Sequence, residues 1–143
     1  MRSSWDFIGD SHEGIRDVLA RAQLDGRSFS AWVREAMTSL SLKRNDVVHA
    51  SCLNQTFAYQ IIAGTRRPSR DKLIQLAFGM GFGIDEACEL LERGGTNALR
   101  PSCRRDVVIA FALDRGLGVH GCDDLLWSVG ERTIVTRGEA GEI

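Results

Sequence analysis

The 143-residue chain has no apolar run of the roughly 18–20 residues that a membrane-spanning helix needs. Its first residues, MRSSWDFIGDSHEG, hold no apolar block of signal-peptide length. A cytoplasmic protein without a membrane partner is expected. An excess of one charge is also missing: the net charge is −1 and the pI is near 6.3, which excludes a bulk polyanion binder. Only two prolines are present, which favours helices over long loops. The four cysteines, Cys52, Cys88, Cys103 and Cys122, form no Cys-x-x-Cys pair, so free thiols are expected rather than a disulfide framework. His120-Gly121-Cys122 offers two ligand types where structural zinc wants four. His12 and His49 read as surface or partly buried side chains. No metal and no cofactor are expected. A Walker loop, a paired His-x-x-x-His and a Ser or Cys nucleophile signature are all missing, so no enzyme is expected.

What remains is ordinary soluble material, 43% apolar and 26% charged, patterned for helices. Ser11 to Leu24 places Ile15, Val18, Leu19 and Ala22 on one helical face. Gly26 marks a break, and Ser28 or Ser30 can cap the next helix. Phe29, Trp32, Val33, Ala36, Met37 and Leu40 then recur at i, i+3, i+4, i+7, i+8 and i+11, a strong amphipathic stripe.

The densest information lies in Leu42 to Pro68, LKRNDVVHASCLNQTFAYQIIAGTRRP. Val47 and Val48 give one short helix an apolar stripe, and Ala50-Ser51-Cys52 is a small, polar run where the chain can turn. Asn54 is a good N-cap for a second helix starting near Gln55. Its inward positions are Ala58, Ile61 and Ile62, joined by Leu53. Its outward positions are Gln55, Thr56, Tyr59 and Gln60. Gly64 can end it in a left-handed conformation. Thr65-Arg66-Arg67-Pro68 leaves it with two guanidinium groups suited to phosphate oxygens. Ser69 can cap the following helix, with Asp71 in its first turn.

This segment resembles the lambda-repressor/Cro-type helix-turn-helix, or XRE, family. The matching residues are Leu42, Val47-Val48, Leu53, Gln55-Thr56, Phe57-Ala58, Ile61, Gly64 and Pro68, and the resemblance runs from about Phe29 to Leu91. Three positions depart from it. Lys43 stands where Ser or Thr usually caps, so that the helix start shifts toward Ser41; Cys52 replaces a turn glycine; Val48 replaces a small alanine. The resemblance implies an all-α fold with a lambda-repressor-like core, an extra N-terminal helix and a C-terminal helical pair. It implies double-stranded DNA as partner, with Asn54, Gln55 and Thr56 at the exposed start of the recognition helix. Gln55 and Thr56 match base-reading positions, and a glutamine paired with adenine gives about 1–3 kcal/mol of discrimination. It further implies Arg44 on phosphate and buttressing the first base reader, Tyr59 and Gln60 one turn along, and Thr65, Arg66 and Arg67 gripping the backbone.

Charge is placed accordingly. Lys43, Arg44, Arg66, Arg67, Arg70 and Lys72 against Asp46 and Asp71 give residues 42–72 a net +4, whereas residues 73–99 carry −3. Beyond the motif, Arg70 to Phe78 reads as a helix with Leu73, Ile74, Leu76 and Ala77 inward, ended by Gly79, Gly81 and Gly83. A further helix runs from Ile84 to Arg93. Val107 to Leu113 is a continuous apolar run followed by Gly116, Gly118 and Gly121, and then by a strand-like RTIVTR. That order imitates a nucleotide-binding turn, but Asp114-Arg115 intervenes and no other strands exist to build a sheet. A helix from Ser102 to Arg115 and a short one around Asp123 to Trp127 are expected instead.

The organisation is therefore an N-terminal extension over 1–27, the helix-turn-helix core over 28–95, a C-terminal helical pair over 96–130 and a mobile or weakly paired tail over 131–143. The expected function is a sequence-specific transcriptional regulator acting by operator occupancy as a homodimer. Trp127, Leu126 and Phe111, or Trp5 and Phe7, are candidate dimer surfaces. The alternative is a helical adaptor or antitoxin-like protein that binds a protein partner through the same fold.

Overall fold

The computed structural model describes residues 5–10, 12–22 and 24–135. Among them every regular element is helical. After a 3-10 turn at Asp6–Ile8 come α1 (Ile15–Arg21), α2 (Phe29–Ser39), α3 (Arg44–Ser51), α4 (Gln55–Ala63), α5 (Arg70–Gly79), α6 (Ile84–Arg93), α7 (Arg104–Asp114) and α8 (Val119–Ser128). No helix among the described residues is long and apolar enough to cross a membrane. The apolar run Val107–Leu113 lies wholly inside α7, so the nucleotide-binding imitation has no strand.

Side chains at the predicted positions start and stop the central helices. The Ser28 hydroxyl accepts from the Ala31 amide, Asn54 Oδ1 from Phe57, and the Ser69 hydroxyl from Lys72. Gly64, at φ +82°, lets the Thr65 amide reach back to the Gln60 carbonyl. Two details differ from expectation. Ser41 does not start α3; it is left-handed at φ +55° and closes α2, while Lys43 stands at the α3 N-terminus without a side-chain cap. The first helix is only seven residues long, and Ser11 of its expected span lies outside the described residues. Of its stripe, Val18 is buried while Ile15 and Leu19 remain 69% and 53% exposed, because so short an uncapped helix covers little.

One cluster of buried side chains runs from Trp32 through Ile61, Leu73, Leu90 and Ile109 to Ile134. At its centre α3 lies against α5. A Cβ built on Gly79 would stand 2.5 Å from the Val47 carbonyl oxygen and 2.8 Å from Ser51 Cβ, so only glycine permits this approach. Gln75, read from sequence as none of the inward positions, is 1% exposed. Its Nε2 donates to the Ser51 and Cys52 carbonyls at 3.1 and 3.4 Å, closing the C-terminus of α3.

The second half of the molecule repeats the middle. α6 and α8 are related by a shift of 35 residues, from 84 to 119 and from 93 to 128. With that shift Arg70-Asp71 falls on Arg105-Asp106, Ile74 on Ile109, Ala77 on Ala112, Gly81 and Gly83 on Gly116 and Gly118, Leu90-Leu91 on Leu125-Leu126, and Gly95 on Gly130. The turns coincide too: Gly81 and Gly116 have φ of +69° and +70°, and the Phe82 and Leu117 amides bond to the Ala77 and Ala112 carbonyls. The two Arg-Asp pairs meet reciprocally. Arg70 makes a bidentate contact with Asp106 at 2.9 and 2.8 Å, and Arg105 makes one with Asp71 at 2.9 and 3.1 Å. Arg70 also donates to the Asn97 and Ala98 carbonyls, and Arg105 to those of Arg132 and Thr133, again 35 residues on. Reciprocity of this kind is the contact pattern of a two-fold relation, here inside one chain.

The start of the presumed tail is fixed. Ile134 is 1% exposed, and the Ile134 and Val135 amides donate to the Asp123 carboxylate at 2.6 and 3.1 Å. An apolar side chain with a seat in the core overrides the tail expectation for 131–135. Residues 136–143, including the end of RTIVTR, lie outside the described residues.

Two outcomes test this architecture. Gly79→Ala should destabilise the protein by about 1–3 kcal/mol in urea unfolding, because the added methyl meets backbone. Gly121→Ala, whose nearest neighbour would be Leu117 Cβ at 3.4 Å, should be stabilising by about 0.5–1 kcal/mol. Burial opposes ionisation of Asp106, but Arg70, the Arg100 amide and Arg105 outweigh it and hold the carboxyl below its ordinary value. A lowered folded pKa contributes stability above the unfolded value, near 3.9, and loses it as pH falls toward the folded one. Stability should thus decline below about pH 4–5, and Asp106→Asn should cost about 3 kcal/mol near neutrality while flattening that decline.

Candidate nucleic-acid interface

The turn between α3 and α4 is built from small and polar residues. The buried Ser51 hydroxyl donates to the Val48 carbonyl at 2.7 Å and accepts from the Leu53 amide at 3.3 Å. Cys52, at φ +59°, occupies the left-handed position that glycine fills without strain. Leu53 then drops into the core, and Asn54 opens α4. Ala58, Ile61 and Ile62 are buried as their spacing predicts, which turns the opposite flank of α4 outward.

Asn54, Gln55 and Thr56 are exposed at the start of α4. Tyr59 and Gln60 are half-buried. Gln55 Nε2 donates to the Tyr59 hydroxyl at 3.0 Å, and that hydroxyl donates to Asn45 Oδ1 at 2.5 Å. The Arg44 guanidinium lies 4.7 Å from the centre of the Tyr59 ring. Arg44 therefore stacks on Tyr59 rather than bracing Gln55, and Asn45, singled out by no motif, holds the tyrosine. Gln60 is occupied through its backbone, its carbonyl accepting from the Thr65 amide and hydroxyl at 3.0 and 3.3 Å.

Beyond Gly64 the exposed Arg66 lies over the Phe57 ring at 5.2 Å, on which Lys72 also sits at 6.0 Å. Arg66 and Arg67 line a cleft of about 180 Å³ with Phe29, Arg93 and Gly94-Gly95. Arg93 there is held by Asp25 and Glu89, at 2.6 and 2.8 Å. Among the described residues, Lys43, Arg44, Arg66 and Arg67 have no carboxylate within ion-pair distance, whereas Arg70 and Asp71 are consumed by the contacts with α7. Removing that pair leaves residues 42–72 with five cations against Asp46, still +4, gathered around α4.

The C-terminal repeat reaches this surface. A pocket of about 500 Å³ opens beside Gln55, lined by Asn45, His49, Cys52, His120 and Val135. Cys52 Sγ lies 3.5 Å from His120 Nε2. Burial, with the Asp123 charge second, raises the Cys52 thiol above its usual range, so it is a neutral thiol at neutral pH. Burial and Asp123 likewise push Cys122 up to about 12. All four cysteines are unpaired, and no group of three or more His, Cys, Asp or Glu among the described residues is placed to hold a metal.

The chain matches no protein-family model, no curated protein and no solved structure. No helix-turn-helix family is identified by comparison, and the interface stands on its own geometry.

Asn54→Ala should lower stability by about 1 kcal/mol through loss of the α4 cap, measured by urea unfolding. Cys52→Gly should raise it by up to about 1 kcal/mol, since relief of the left-handed strain outweighs loss of the weak His120 contact.

Proposed function

We propose that this protein is a sequence-specific DNA-binding regulator of the lambda-repressor/Cro-type helix-turn-helix kind, with α4 as the reading helix. It acts by occupying an operator, as a two-fold dimer. The observation that carries this reading is the outward flank of α4: Gln55 and Thr56 are open at its N-terminus, and Lys43, Arg44, Arg66 and Arg67 flank it without carboxylate partners among the described residues. A helix N-terminus bearing short polar side chains fits a major groove, and unpaired guanidinium groups on either side suit the two phosphate strands. Tyr59, held by Asn45 beneath Arg44, sets the Gln55 amide rather than leaving it to rotate.

A second reading, a helical adaptor or antitoxin-like protein that binds a protein partner, is favoured by one observation. His120 and Val135 line the pocket next to Gln55, so part of the reading surface is walled by the C-terminal repeat.

Selection from random duplex oligonucleotides, followed by mobility shifts at several salt concentrations, separates the two. The regulator reading expects an enriched inverted repeat. Gln55→Ala should relax preference at one position of each half-site, by about 1–3 kcal/mol. Arg66→Ala should weaken all sequences about equally and reduce the salt slope by about one. Equal loss of preference from both variants would remove the assigned roles, and no duplex binding at physiological salt would leave the adaptor.

A further inference from the structure

Three side chains from two helices form one directional hydrogen-bond relay at the start of α4. Tyr59 has a single hydroxyl proton, and it goes to Asn45 Oδ1 at 2.5 Å. Toward its other neighbour the hydroxyl can then only accept, and it does so from Gln55 Nε2 at 3.0 Å. The Arg44 guanidinium, 4.7 Å from the ring centre, covers the tyrosine face. Asn45 lies in the first turn of α3, whereas Gln55 and Tyr59 lie one turn apart on α4, so the relay ties the two helices together across their turn. Its consequence falls on Gln55, whose side chain is exposed. A primary amide carries two N–H donors and one carbonyl acceptor. One N–H is spent on Tyr59, which leaves a free edge of one donor and one acceptor.

We propose that Asn45, acting through Tyr59, makes Gln55 accept adenine and reject guanine at one position of the half-site. The inference rests on the DNA-reading role proposed for α4 and deepens it. In the major groove adenine presents N7 as acceptor and N6 as donor, which matches one N–H and Oε1. Guanine presents N7 and O6, both acceptors. A glutamine with both N–H groups free can turn its nitrogen to that pair. Gln55 is held from doing so, because the reversed amide would set Oε1 against a hydroxyl oxygen whose proton already points to Asn45. Asn45 needs no contact with a base for this; it is a positioning residue. Without it the hydroxyl proton is released to point at Gln55 instead. The amide can then reverse, and both N–H groups become available to guanine.

Fluorescence anisotropy of the full chain tests it, with two duplexes that differ only by adenine or guanine at the position whose preference Gln55→Ala abolishes. The wild type should bind the adenine duplex about 10-fold or more tightly. Asn45→Ala and Tyr59→Phe should each bring that ratio below about 3-fold, with unchanged helical content. Asn45→Asp should retain it, because a carboxylate only accepts and the hydroxyl proton still points away from Gln55. The added negative charge should weaken both duplexes alike, so the ratio remains the readout. A ratio that Asn45→Ala or Tyr59→Phe leaves unmoved overturns the proposal. So does an Asn45→Asp protein that discriminates no better than Asn45→Ala, or a wild type that prefers guanine. Failure of the operator reading looks different: no duplex is bound, or Gln55→Ala changes the preference at no position, and this inference falls with it.

Discussion

The closeness of α3 to α5 governs the rest of this molecule. Gly79 lets the Val47 carbonyl and Ser51 approach to distances that any side chain would block, and Gln75 receives the last carbonyls of α3 from the same face. The direction in which α3 ends is therefore set by α5. The turn at Ser51-Cys52-Leu53 follows from that direction, and the outward flank of α4 from the turn. Two residues of one buried helix, Gln75 and Gly79, thus decide which polar side chains reach the surface some twenty positions earlier in the chain. The cost is visible in the same place: Gln75 Oε1 is buried without a partner among the described residues, and such a group costs about 1–3 kcal/mol. It is tolerated because the amide nitrogen of the same side chain closes a helix end that would otherwise be open.

The reciprocal Arg-Asp contacts do the corresponding work for the second half. Single salt bridges on a surface contribute little. These differ because each guanidinium also satisfies two carbonyls of the segment after its own hairpin, and because Asp106 is nearly inaccessible. Two hairpins that could slide on apolar contacts alone are fixed in register by four directional groups. That arrangement also removes Arg70 from any role with nucleic acid. Proximity in sequence to a basic loop did not make it part of the basic surface.

Legibility in the sequence followed the range of the cause. Asn54, Gly64 and Ser69 were readable because caps and helix ends are decided within a few residues, and the burial of Ala58, Ile61 and Ile62 followed from period alone. Ser41 and Cys52 were not readable as left-handed positions, because neither is glycine: Ser41 lets the Leu42 amide reach back to the Met37 carbonyl, and the Cys52 carbonyl is held by Gln75. Gln75 looked like a solvent-facing polar residue on an otherwise apolar helix; only the crossing with α3 makes it internal. Ile15 and Leu19 show the reverse error, a correct period on a helix too short to find a cover. The fixed start of the tail, 131–135, was not readable because polar neighbours hid a single anchor, Ile134, the repeat counterpart of Leu99. The repeat itself was written in the chain as Arg-Asp, Gly-x-Gly and Leu-Leu at a constant spacing. It is visible only when the chain is compared with itself rather than with a motif. Asn45 and His120 had no signal at all, since each acquires its place from a residue 14 or 68 positions away.

The repeat also explains an asymmetry in the candidate site. In the first hairpin the outer face of α5 carries α3, and through it α4; in the second, no helix among the described residues lies on the corresponding face of α7. A molecule with an internal two-fold relation thus has, among the described residues, a single outward flank like that of α4. If α4 reads DNA as proposed, one such flank contacts too few base pairs to select a site among many, and the second flank would have to come from a second molecule.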